Sequence, residues 1–140
     1  MAITQGLTTS FKLEILEGVH DFTADVFKIA VYTSSATLGT DTTVYTSSNE
    51  VTSTGYTAGG QVLTGTVVSA ASNVAFVTFD NVTWSDVTFT ARGALIYNST
   101  KSNKSVAVYN FGTDQTAGAL NVFNISMPAD TATEALIRIS

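Results

Sequence analysis

The sequence predicts an all-β protein built of antiparallel strands, with one short helix near its N-terminus. Thr and Ser fill 38 of the 140 positions, and half of the 24 Thr stand beside Val, Ile, Phe or Tyr. β-Branched side chains suit the half-buried, pleated surface of a sheet. Several windows alternate with period two, and turn-forming residues punctuate them at the points of reversal. Together these make hairpins the local unit.

The first element is the exception. Phe11, Ile15 and Val19, with Leu16, fall at helical spacing, Thr8 to Ser10 supply a cap, and Gly18 supplies a stop, which predicts a helix over Ser10–Glu17. Next, Phe27, Ile29 and Val31 alternate with Lys28 and Ala30 as one strand. Residues Thr33 to Tyr56 are rich in Ser, Thr, Gly and Asn, too polar for a core and too long for a hairpin loop. They read as an extended surface arm, 33–56, pinned by Tyr45 and Tyr56. Further strands are expected at Gln61–Ser69, Val74–Phe79, Asp86–Arg92, Gly93–Asn98, Ser105–Phe111, Ala119–Met127 and Glu134–Ser140, about eight in all. Val74–Phe79 is apolar on both faces. Turns are expected at Gly59–Gly60, Asp80–Asn81, Asn98–Asn103 and Gly112–Asp114, and Pro128 removes a ladder donor where the preceding strand should stop.

Composition bounds the function. With 44% hydrophobic and 12% charged positions, residues 1–140 read as a single domain, 1–20 forming an N-terminal segment. A chain of this length buries roughly 68–70% of its unfolded surface without disulfide or metal staples. A net charge of −5 opposes contact with phosphate backbones, so nucleic acid is not an expected partner. Mean hydropathy of +0.24 comes without an apolar stretch near the ~20 residues of a membrane span, so no membrane is expected either. MAITQGLTTS has neither the basic nor the apolar region of a secretion leader, and the sequons at Asn81, Asn98, Asn103 and Asn124 read as chance in a Thr-rich chain. The absence of Cys leaves the redox compartment open.

Chemistry-bearing residues are sparse. One His and no Cys remove thiolate nucleophiles, zinc–thiolate sites and His pairs. His20, in Gly18–Val19–His20–Asp21–Phe22, is a conceivable general base, but without a G-x-S-x-G elbow it reads as part of a helix-to-strand turn. Asp80 and Asp86 flank Trp84 as a carboxylate pair suited to a glycosidase or to calcium, yet Asp80–Asn81 is an ordinary turn pair. Trp84, Tyr97, Tyr109 and Phe111 form either a carbohydrate platform or core, with Trp84, next to a turn, the best placed for the surface. Lys101, Lys104 and Arg92 are too few for a nucleic-acid patch. No enzyme activity, cofactor or metal is expected.

Three stretches carry a resemblance: FKIAVYTSSATLGTDTTVYTSSNEV with GYTAGGQVL after it, then VTWSDVTFTARGALIYNSTKSNKSVAVYNFG, and the terminal ALIRIS. Across most of the chain they resemble virion structural proteins of tailed bacteriophages, in particular the capsid cement (decoration) proteins of podovirus-type phages, of the Bordetella phage kind. The resemblance implies a jelly-roll sandwich on the exterior of the virion capsid. It further implies self-association, as a homodimer rather than a homotrimer, and the major capsid protein as partner. The expected role is non-enzymatic stabilisation of the head against genome pressure; the alternatives are a tail or fibre module binding host-surface glycan and, more distantly, a hydrolase fragment of a tail assembly. Residues expected at the capsid or self-interface are Ile3, Leu7 and Phe11, the arm's Tyr45 and Tyr56, and Trp84. Arg92 joins them as a residue that should pair, with Asp86, Asp80 or a neighbouring subunit's carboxylate.

Overall fold

The structure, a computed structural model, describes residues 2–140; Met1, the first residue of the expected N-terminal segment, lies outside the described residues. Helix α1 spans Thr9–Leu16, one residue earlier than its apolar spacing suggested, because Thr8 is the N-cap and accepts a hydrogen bond from the Phe11 amide. Gly18, with φ +73°, follows the C-cap Glu17 as expected.

All strands pair antiparallel, in two sheets that make an all-β sandwich. The larger has the order β1-β7-β6-β2-β3, with β1 at Gly6–Leu7, β2 at Phe27–Tyr32, β3 at Gln61–Val62, β6 at Val82–Asn98 and β7 at Lys104–Ile125. The smaller has the order β4-β5-β8, with β4 at Val67–Ala71, β5 at Val74–Thr78 and β8 at Ile137–Ile139. The main core lies between them. Phe27, Ile29 and Val31 of β2 meet Trp84, Val87 and Phe89 of β6, Phe123 and Ile125 of β7, and Val77 and Ile137 of the small sheet. Each fully buried side chain of this size contributes about 1.5–3 kcal/mol. A second, smaller cluster on the other face of β2 joins Ala30 and Tyr32 to Ile3, Leu38, Leu95 and Val108.

Three expectations are corrected. The runs Asp86–Arg92 and Gly93–Asn98 are one continuous strand, β6, and Ser105–Phe111 and Ala119–Met127 merge into β7. An irregularity in the ladder, not a reversal, absorbs Gly112–Asp114, which read as a turn: the β6–β7 register slips between Ala91 and Gly93, opposite Gly112 with φ +83°. It slips likewise between Trp84 and Val87, where Asp86 adopts φ +57°, and between Val87 and Phe89, opposite Ala119 and Leu120 with positive φ. Conversely, Gln61–Ser69 is not one strand but two, β3 and β4, in different sheets, separated where Gly65 has φ +64°. Finally, the polar stretch 33–56 does contribute to the core. Ala36, Leu38, Val51 and Tyr56 are all buried.

That stretch is held by a buried carboxylate. Glu50 accepts from the hydroxyls of Tyr45 and Tyr56, both at 2.6 Å, and from the Gly59 amide at 2.8 Å, while Tyr56 Oη accepts from the Val31 amide. Tyr45 stacks on Tyr97 with ring centroids 4.7 Å apart. The adjoining turn requires Gly60: at φ +79° a side chain there would run into the Ile29 carbonyl of β2.

Candidate functional site

Sequence runs without charge or proline make strands that pair readily, and β4, Val67–Val68–Ser69–Ala70–Ala71, is such a run. Ser72 and Asn73, with φ +52° and +66°, close it onto β5 in the tight turn that suits the strand twist. All five β4 residues are exposed, on both faces of the hairpin. One side pairs with β5; the other is a sheet edge.

The small sheet overhangs the core. Val68, Val77 and Ile137 stand in one cross-strand row, and Ala70, Ala75 and Ile139 in the next row on the same face. Val77 and Ile137 are buried, whereas Val68 and Ile139 are 51% and 56% exposed. The sheet therefore carries an apolar stripe that leaves the interior and continues to the surface, ending at an open edge. Open edges are usually blunted by Lys, Pro, bulges or shortness. The large sheet follows that practice with two-residue edge strands, but β4 has none of these devices. A second apolar patch is on α1, where Leu13 and Leu16 are 58% and 85% exposed.

The residues expected at an interface lie elsewhere. Phe11, Tyr56 and Trp84 are in the main core, so packing within the chain replaces the expected display to a partner; Trp84 is only 2% exposed, packed edge-on against Phe89 and Phe123. Ile3 is buried against Gly93 of β6, where a side chain would collide with both Ile3 and the Tyr109 carbonyl. Leu7 is half-buried in β1 and Tyr45 half-buried on Tyr97. Arg92 pairs with neither Asp86 nor Asp80: its Nε donates to Asp114 Oδ1 at 2.8 Å in a half-exposed contact. Of the aromatic platform, Tyr97 is buried and donates to the Gly59 carbonyl, its pKa pushed up to about 12 by burial and by the charge of Glu50.

His20 is likewise structural. It is buried, with Nε2 3.1 Å from Glu14 Oε1 and Nδ1 facing the side-chain amide of Asn98, which also donates to Asp25. Burial acts to raise the pKa of Glu14, but the bonds from Lys104, 2.8 Å away, and from His20 outweigh it and hold the carboxyl below its ordinary value. Among the described residues no serine hydroxyl is bonded to His20 or Glu14, and the arrangement ties α1 to the β6–β7 hairpin end. Among the described residues, no group of three or more His, Asp or Glu could hold a metal ion, and no helix is long and apolar enough to cross a membrane.

The open edge was missed in the sequence because Gln61–Ser69 read as a single strand. Its available signal was the charge-free run of Val67–Ala71 against a Ser–Asn turn. Compared with known proteins, the chain matches no family model, no curated protein and no solved structure.

Proposed function

We propose that this chain is a non-enzymatic structural protein of a phage virion, a cement protein that sits on the outside of the head lattice and binds the major capsid protein and a second copy of itself. The observation that carries the reading is the exposed, uncharged β4 edge with its apolar stripe. A stripe of this kind is an association surface in a protein that works in an assembly, and a liability in one that works alone. Cementing needs only about 1,000 Å² of fitted contact per copy, because the lattice repeats each contact and supplies avidity. The chemistry of the chain, one histidine buried in a hydrogen-bonded network with Glu14 and Asn98, agrees with a binding role.

Genome release from heads lacking the protein tests the reading. Such heads should assemble yet leak DNA on heating, and adding the protein back should restore them, since a ligand of the intact shell stabilises it by mass action. Val68→Lys places a charge on the open stripe without touching the core; it should fold normally and fail to restore. Quantitative densitometry should count hundreds of copies per virion. Depleted heads that resist heat as well as complete ones would remove the cement role.

A further inference from the structure

Strand β7 is folded on itself. Phe111 and Phe123 are twelve positions apart, about 40 Å along a straight strand, yet their ring centroids are 6.1 Å apart. Gly112, at φ +83°, and the paired left-handed residues Ala119 and Leu120 make the bends. Between the two limbs lies a groove of about 460 Å³, within the size range of small-molecule sites.

Its lining has two zones. The floor is aromatic, with Tyr109 and Phe111 half-buried and Phe123 buried. The rim is amide, with Gln5, Gln115 and Asn124 all exposed. Part of each rim amide is already used: Gln5 Oε1 accepts from the Asn110 amide, Gln115 Nε2 donates to Thr113, and Asn124 Oδ1 accepts from Thr83. These bonds restrain the side chains and leave Gln5 Nε2, Gln115 Oε1 and Asn124 Nδ2, two donors and an acceptor, on exposed residues that line the groove. None of the residues lining the groove is charged.

We infer that this groove is a binding site for a neutral oligosaccharide of about disaccharide length. Aromatic faces take the apolar side of a sugar ring, and fixed amides pair with hydroxyls that both donate and accept. The absence of charge in the lining disfavours nucleotides, phosphosugars and uronic acids. An extended peptide would call for the backbone groups of an open strand edge, whereas this groove presents side chains. Two of the four aromatics singled out in the sequence, Tyr109 and Phe111, are in it; Trp84 and Tyr97 are not. The inference does not depend on where in a virion the chain resides.

Titration of the isotope-labelled protein with lactose, maltose and N,N′-diacetylchitobiose, followed by amide resonances, tests it. At least one sugar should produce saturable shifts confined to residues 109–126 and the Gln5 side chain, with millimolar affinity. The double variant Gln115→Ala/Asn124→Ala alters two exposed positions, should keep the resonance pattern of the fold, and should weaken binding by about tenfold or more. Absence of saturable shifts with all three sugars at about 20 mM would overturn the assignment. So would equal binding by the double variant, or groove resonances that move on dilution without sugar, which would mean that a second copy of the chain fills it.

Discussion

Glu50 is the residue on which the 33–56 segment depends. Its carboxylate takes two phenol hydroxyls and one backbone amide, so burial is compensated by three bonds to a charged acceptor. Glu50→Gln keeps the shape but turns one acceptor oxygen into a donor facing another donor. Loss of about 2–3 kcal/mol is expected in urea unfolding; a change within error would mean that the tyrosines hold the segment without the charge. Arg92 illustrates the opposite case. Its contact with Asp114 is half-exposed, where ion pairs contribute little. Neither residue was legible in the right role: Glu50 sits in a polar stretch with no periodicity, and the partner of Arg92 depends on how β7 bends.

Among the elements, the turn before β3 and the bend in β7 both use left-handed glycine for different reasons. Gly60 is pressed against the backbone of β2, whereas nothing lies within 4 Å of where a side chain would sit at Gly112. Gly60→Ala should therefore cost about 3 kcal/mol or more, through collision added to conformational strain, and Gly112→Ala only about 1 kcal/mol. Thermal unfolding of the two variants would separate the effects, and equal losses would show that the close approach at Ile29 relaxes. Strands β2 and β5 were legible because their apolar pattern and burial agree, and helix α1 because its Thr cap and Gly18 stop are local signals, although Leu16 of its apolar spacing is exposed and Glu14 is buried instead. The long β6 and β7 were not, since a bulge and a turn draw on the same residues, Asn, Asp and Gly with positive φ, and differ only in whether the partner strand continues.

For the molecule as a whole, stability should form a plateau bounded by groups of opposite kind. The carboxyl of Glu14 is held below its ordinary value of 4.5 in the fold, so its contribution is present above that value and is lost as pH falls through it. Tyr97 is raised from 10.0 to about 12, so the fold favours the neutral phenol and loses stability as pH rises from 10 toward 12. Melting temperatures should be level between about pH 5 and pH 10 and fall on either side. Glu14→Gln should lower the plateau and flatten the acid limb; an unchanged acid limb would assign acid unfolding to other carboxylates.

The all-β class, the capped N-terminal helix and the buried central strand were written in composition and local spacing, because β-branched alternation and cap chemistry act within a few residues of themselves. Which strand ends open to solvent, which aromatics fill the core and where β7 folds over were decided only in three dimensions. Trp84 beside a turn and Val68 in an ordinary strand look alike one residue at a time; the packing of a second sheet buries the first and leaves the second exposed. Burial is set by what arrives from distant parts of the chain, and that is information no local window contains.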